Sequence, residues 1–529
     1  MPSRPTLIAG LLLTVGLLLV PAPTAAQNAE IKIDIDRTIG EVDSLIYGNF
    51  VEHLGRNVYG GIYDPDSPLS NEQGFREDVI QATRDLNVSL MRYPGGNFVS
   101  NYDWEDGVGE ERPNRLELAW SRIESNEFGT NEFMEFAEAV DTEPYFAVNL
   151  GTGTIEEAQQ WVEYTNYEGG TYYSELRKEH GHEEPYDIKY WSLGNEMDGY
   201  WQIGHLNAED YSKKAREAAK MMTRTDPDLS LVAAGASNFR PDADPMHWNR
   251  IVLDELKDVV DYIALHIYVG DPNDNYYNFQ STPHVMEERT ELVEGLIDIA
   301  MQDADREDEI KIAWDEYNVW YRARSGSDME GETALEERYN LSDALVIAGF
   351  LNGFIRQADI VKMANLAQLV NVIGTMFTTP DDMFKQTIYY PIQLYAEHAY
   401  GTSLDVHVNS ETYDTDEFFI GLGEQQTQQS DVPYLDVSAT HQDDGEVIIN
   451  VVNRHRDEAI TTDLISQTGG FEGPFEVYEI NGPDVNARNT FEEQPVQTEQ
   501  LDDVQGGGES FTYTFPPHSV TMLKGRIAQ

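Results

Sequence analysis

Two short apolar runs in this chain stop on acids: Ile188-Lys189-Tyr190-Trp191-Ser192-Leu193-Gly194 ends at Asn195-Glu196, and Ile310-Lys311-Ile312-Ala313-Trp314-Asp315 ends at Glu316. A carboxylate at the end of a buried strand is costly unless it is paired or used. Two of them brought to one place are what glycoside hydrolysis asks for, one protonating the departing oxygen while the other attacks or directs water. Either glutamate alone would serve equally in a salt bridge, for instance with Arg92. The elements around them decide whether residues 196 and 316 meet.

From residue 45 onward, buried strand and amphipathic helix alternate, the pattern of parallel βα units. Strands are predicted at 45–50, 89–93, 145–150, 190–195, 231–236, 262–268, 310–315 and 360–365, and helices at 75–86, 132–140, 155–164, 208–223, 248–256, 285–301, 335–356 and 390–398. Eight of each is what an α/β (β/α)8 TIM barrel requires, and its reactive groups stand at the carboxyl ends of the strands. Taken in order, those ends carry Glu52, Arg92, Asn149, Asn195-Glu196, His266 with Tyr268, Glu316 and Gln368. A ring of polar groups on one face is hard to explain as packing, because each would need a buried partner.

The barrel is assigned to residues 43–400. Beyond it, 401–529 breaks into short alternating segments such as 447–452 and 511–515, separated by Gly, Pro, Asn and Asp. That reads as an antiparallel all-β jelly-roll sandwich. Residues 27–42, with Ile31, Ile33 and Ile35 alternating against polar neighbours, are expected to join it, and the Asp/Glu/Gln/Gly-rich stretch 492–509 to be a solvated loop. At the start, Arg4, the apolar run 7–20, Pro21, Pro23 and Ala25-Ala26 have the layout of a signal peptide over 1–26, so the protein is expected to be exported to the periplasm or medium. The run is short for a membrane span, and no membrane partner is expected for the mature chain.

The chain has 529 residues, with 95 Asp+Glu against 35 Lys+Arg, a formal charge of −60, and no cysteine. Disulfides, thiolate metal sites and cysteine nucleophiles are thereby excluded. The charge repels nucleic acid and anionic lipid, and it is spread along the chain in the manner of an acidic surface suited to concentrated salt. Gly151-Thr152-Gly153-Thr154 lacks the further glycine and the Lys-Ser/Thr of a phosphate loop, and His180-Gly181-His182-Glu183 lacks the helical spacing of a metal site. No metal or cofactor is called for. Aromatic residues crowd the expected loops (Tyr59, Tyr63, Tyr102, Trp104, Tyr172, Tyr173, Tyr200, Trp201, Trp320, Tyr321), and such faces stack on sugar rings.

The stretches Phe50-Val51-Glu52-His53-Leu54-Gly55-Arg56, Arg92-Tyr93-Pro94-Gly95-Gly96-Asn97-Phe98, Trp104-Glu105-Asp106-Gly107, Gly194-Asn195-Glu196-Met197-Asp198-Gly199 and Trp201-Gln202-Ile203-Gly204-His205 closely resemble the α-L-arabinofuranosidases of glycoside hydrolase family fifty-one. The resemblance implies a barrel with the acid/base on strand four and the nucleophile on strand seven, hence Glu196 and Glu316, and a jelly-roll module that takes in N-terminal strands. It implies furanose contacts from Glu52, Asn97, Asn195, Tyr268 and Gln368, with Arg92, Trp120 and His266 supporting the pocket. Asn365 and Asn371 lie close to Gln368 and compete with it for that place. It also implies an arabinose-containing saccharide as substrate and a homo-oligomer, a hexamer. The segments 238–245 and 270–282 depart from the family pattern, which bears on the outer subsites. Two further readings stay open, a β-xylosidase or endo-β-glucanase on the same scaffold and a non-catalytic saccharide-binding protein.

Overall fold

The computed structural model describes residues 27–528 except 238, 241–242, 307, 325–330, 332 and 421–424; the signal segment expected at 1–26 lies outside the described residues. In chain order, β1 (Gln27–Ile33) and β2 (Thr38–Glu41) precede the first barrel strand, β3 (Gly48–Phe50), and β4 (Leu90–Tyr93). A two-stranded hairpin follows, β5 (Arg115–Glu117) and β6 (Arg122–Glu124). The remaining barrel strands are β7 (Glu143–Ala147), β8 (Tyr190–Leu193), β9 (Ser230–Ala234), β10 (Tyr262–Val269), β11 (Lys311–Val319) and β12 (Val361–Ala367).

The eight strands β3, β4 and β7 to β12 close into a parallel barrel. Leu45, Leu90, Tyr145, Tyr190, Val232, Ala264, Ala313 and Met363, one from each strand or its entry, form a cluster of their own inside it. This layer plugs the barrel, so its interior is a packed core and only the carboxyl-end mouth is left for chemistry.

Three local differences from the expected elements have physical causes. The first strand begins late: Ser44–Tyr47 is a 3-10 turn capped by Asp43, whose carboxylate accepts the Leu45 N–H at 3.0 Å. The helix expected from 335 begins at Leu341, where Asn340 and Asp343 form a capping box. Leu335 instead has φ of +57° and lines the mouth. A helix over Tyr172–Glu179, capped by Thr171, occupies part of the stretch read as aromatic loop.

Beyond the barrel, two sheets pack face to face. One has four strands: His407–Asn409, β1, Ile460–Ser466 and Ser510–Phe515. The other has seven: β2, Thr402–Leu404, Leu435–His441, Glu446–Asn453, Ser519–Ala528, Gly470–Asn481 and Gln497–Gln505. Ile31, Ile33, Val437, Ile449, Phe475 and Leu523 fill the space between them. The sandwich is not wholly antiparallel, since β1 runs parallel to Ile460–Ser466 with Ile31 opposite Leu464. The expected loop over 492–509 is corrected as well, because Gln497–Gln505 is a strand at the sheet edge. Its exposed Glu499, Asp502 and Asp503 hide the alternation, and an edge carrying such charges resists pairing with a second chain.

The seven-stranded sheet packs on the helix Leu341–Arg356, which is buried on every side through Ile355 and therefore shows no polar face. Arg356 bridges Glu287 and Asp436 there, and Arg454 bonds Asp436 and donates to His284 Nε2 at 2.9 Å. Burial, with the Arg454 charge adding to it, brings the His284 imidazole down to about 4, so it accepts as a neutral ring. Removing one partner from a buried set of this kind strands the others, which fixes how the sandwich seats on the barrel. No helix among the described residues is long and apolar enough to cross a membrane.

Candidate active site

The strand ends open into one cavity of about 380 Å³, lined by Glu52, Asn97, Trp120, Glu196, Tyr268, Glu316 and Gln368 among the residues singled out above. Arg92, Asn195 and His266 do not line that cavity; they line a smaller recess that shares Glu196 with it and also holds Asp315. Of the ring read from the strand ends, Asn149 is the exception. Its amide donates to Tyr102 O at 2.9 Å and to Thr152 Oγ1 at 3.1 Å, tying down the turn that caps the helix Ile155–Asn166.

Both oxygens of Glu316 are engaged: Oε1 accepts from Arg92 Nη1 at 2.6 Å and Oε2 from the Tyr268 hydroxyl at 2.8 Å. Arg92 is fully buried, and although burial alone would lower its pKa, the charges of Asp315 and Glu316 raise it, so it stays a fixed cation. Its Nη2 donates to Asn195 Oδ1 at 2.6 Å, which orients that amide. Asn195 Nδ2 is buried and finds no hydrogen-bond partner among the described residues, a donor in want of an acceptor such as a sugar hydroxyl. The backbone comes up against this group at Gly95-Gly96, where a Cβ on Gly96 would stand 3.0 Å from Glu316 Oε1.

Glu196 sits one residue beyond Asn195 with φ of +46°, a costly conformation for a residue with a side chain. Its Oε1 is 3.0 Å from His266 Nδ1, and its Oε2 accepts from Trp201 Nε1 at 2.6 Å. Burial would strip His266 of its second proton. The charges of Glu316 and Asp315, with bonds to Asp315 and Glu196, outweigh burial and hold the ring well above its usual value. It therefore donates from both nitrogens, to Glu196 and, at 3.1 Å, to Asp315 Oδ1. An oxygen of Glu196 and one of Glu316 lie within 4.8 Å of each other across His266. Each nitrogen of that histidine already faces a carboxylate oxygen, so hydrogen bonds account for the closeness of the three side chains.

Across the mouth, Glu52 accepts from Phe98 N and Trp120 Nε1 at Oε1 and from Gln368 Nε2 at Oε2, each at 3.0 Å. Burial, with the Glu316 charge adding to it, pushes its carboxyl up to about 7 despite those bonds. Trp120 reaches the site from the hairpin of β5 and β6. Asn365 and Asn371 turn elsewhere, to Asn49 O and to Arg56 O, and leave Gln368 as the amide at the cavity.

Several residues of the site carried no clear signal in the sequence. Asp315 lies beneath His266 and Arg92, where Tyr145 donates to it at 2.9 Å; burial would raise its carboxyl, but those cations hold it below the ordinary value. Asp198 accepts from Ser237 N at 3.1 Å and Ser237 Oγ at 2.6 Å, and burial, with the Glu196 charge adding to it, raises it to about 7. Among the loop aromatics, Tyr200, Trp201 and Trp320 line the cavity. Trp104 and Tyr102 instead pack into the core around Trp161, and His53 is a core histidine with Nδ1 at 3.3 Å from Glu124 Oε2 and Nε2 at 3.1 Å from the Tyr93 hydroxyl.

Two family models match the chain: one described as an alpha-L-arabinofuranosidase 1 domain over residues 82–285, the other as an alpha-L-arabinofuranosidase C-terminal domain over 315–519. An intracellular exo-α-(1→5)-L-arabinofuranosidase of Halalkalibacterium halodurans is 42% identical over 455 residues, covering 84% of this chain and 88% of its own. Alpha-L-arabinofuranosidase C of Emericella nidulans is 38% identical over 515 residues, 93% and 97% of the two chains. The crystal structure of an alpha-L-arabinofuranosidase of Thermotoga maritima in complex with arabinose superimposes with a TM-score of 0.86 at 39% identity, covering 94% of this chain and all of that one.

Proposed function

The chain belongs to the α-L-arabinofuranosidases of glycoside hydrolase family 51, and from that premise we propose that it is a retaining, exo-acting hydrolase of terminal α-L-arabinofuranosyl residues in arabinan, arabinoxylan or arabino-oligosaccharides. The observation that carries the retaining reading is that one carboxylate oxygen of Glu196 and one of Glu316 lie within 4.8 Å of each other. Retaining pairs stand about 5 to 5.5 Å apart, whereas an inverting pair needs roughly 6.5 to 9.5 Å to admit a water.

In the reaction we derive, Glu316 attacks the anomeric carbon as the glycosidic bond breaks, and Glu196 gives its proton to the departing oxygen. Glu196, now a carboxylate, takes a proton from water as that water displaces Glu316 and releases arabinose. Arg92 and Tyr268 hold the two oxygens of Glu316 in line, and Asn195 Nδ2 is the donor for the 2-hydroxyl. Proton NMR of the first product formed from a nitrophenyl α-L-arabinofuranoside tests this reading. The α-anomer is expected to appear first, and nitrophenyl β-xyloside and β-glucoside to be turned over far more slowly. A first-formed β-anomer would refute retention.

The signal-like layout of residues 1–26 supports export, which would bring the enzyme to polymers and large oligosaccharides and not only to imported fragments. The family resemblance supports a homo-oligomer. The net charge of −60 supports adaptation to salt: at 0.1 M the screening length is about 10 Å and at 1 M about 3 Å, so added salt relieves the self-repulsion of such a surface. The melting temperature is expected to climb from low to multimolar sodium chloride. A protein most stable at the lowest salt would contradict that expectation.

A further inference from the structure

The acid/base glutamate is gripped at both oxygens, and only one grip belongs to the barrel. His266, on β10, holds Glu196 Oε1, so the transferable proton belongs on Oε2, the oxygen that Trp201 Nε1 meets at 2.6 Å. Trp201 is 38% exposed and lies in the loop that follows Glu196. Two successive turns fold it back, with Gly199 N bonded to Glu196 O at 2.8 Å and Gln202 N to Gly199 O at 3.0 Å. The indole packs against Gly199, where an added Cβ would stand 2.5 Å from its Cε2 atom, and the Tyr200 ring meets it edge-on at 5.2 Å.

We propose that Trp201 is a positioning residue for the acid/base: its indole N–H turns Glu196 Oε2 toward the departing oxygen and stabilises the charge that develops there as the proton leaves. The inference rests on the reading of Glu196 as the acid/base. A donor facing a neutral carboxylic oxygen contributes little, and one facing a carboxylate roughly twice as much. The bond from Trp201 therefore tightens between ground state and transition state, which is the kind of interaction that accelerates a step. It matters in proportion to how far the proton has moved, and so to how poor the leaving group is.

The test is kcat/KM across aryl α-L-arabinofuranosides from 2,4-dinitrophenyl to unsubstituted phenyl, a series in which ring stacking in the cavity is held nearly constant. For Trp201→Phe the loss is expected to be about 10- to 100-fold on the phenyl glycoside and about threefold or less on the dinitrophenyl glycoside. Gly199→Ala keeps the indole but pushes it off Glu196, and it should reproduce the same steepening against leaving-group pKa. An equal loss across the series in both variants, or no loss at the phenyl end, would overturn the proposal. Glu196→Ala run in parallel separates the two claims. If that variant shows no leaving-group dependence, the acid/base assignment fails; if it does and Trp201→Phe tracks the wild type, only the role of Trp201 fails.

Discussion

Glu316→Gln is expected to lose about four orders of magnitude or more in kcat on every arabinofuranoside, activated or natural. The substitution keeps the shape of the side chain and can keep one acceptor toward Arg92 Nη1, which donates to Glu316 Oε1 at 2.6 Å. It removes the nucleophile. No leaving group, however good, restores a bond that the enzyme must itself form, so the loss is expected to be flat across a leaving-group series. Burst kinetics with a dinitrophenyl glycoside and intact-mass detection of the glycosyl-enzyme would check it: wild type should carry one arabinosyl adduct under fast quench and the variant none. Near-normal turnover by the variant on any linkage would mean that Glu316 serves as a salt bridge to Arg92, the bland reading its position also allows.

The barrel was legible because each of its strands is buried on both faces and stops abruptly, so an apolar run ending in a polar group marked both the strand and its working end. Glu52, Arg92, Asn195, Glu196, Tyr268 and Gln368 were visible for that reason. Asp315 was not, and β-register explains why. Ala264 of β10 lies opposite Ala313 of β11, but His266 lies opposite Glu316, so β11 carries one extra residue between them. The irregularity lets two consecutive acids both serve the site, where strict alternation would send one of them outward. Trp120 was beyond pattern reading as well. It stands in the connection between two three-residue strands whose Leu116 and Ile123 are exposed, so no amphipathic period marks the hairpin as part of the mouth. The likeness of this stretch of chain to a family supplied Trp120, not its own spacing.

The strand Gln497–Gln505 reads as a loop in the sequence, and the helix Leu341–Arg356 is legible there but with its start six residues too early, at 335; one reason serves both. Sequence periodicity reports a boundary between core and water, and the helix has no side facing water while the strand has almost none facing core. The ionic cluster of Arg356, Asp436 and Arg454 is likewise invisible until sheet and barrel are seated together, since its members lie far apart in sequence.

Glu196→Ala should behave in the contrary way to Glu316→Gln, and the contrast is the strongest test of the paired assignment. With the acid gone, natural linkages, whose leaving oxygen must be protonated, are expected to slow by about three to four orders of magnitude, while a dinitrophenyl glycoside, whose leaving group departs as a stable anion, still forms the glycosyl-enzyme at a useful rate. The intermediate should then persist, because the base that deprotonates water is the same missing residue. Sodium azide needs no such base. It should enter the space left by the side chain, break the bond between the anomeric carbon and Glu316, and leave as the α-arabinosyl azide with retained configuration. His266 keeps its bond to Asp315 in this variant, so the rest of the site stays in place around the vacancy. Recovery of turnover with azide together with isolation of the α-azide would fix Glu196 as the acid/base. An inverted azide product would instead mark residue 196 as the nucleophile and reverse the two roles.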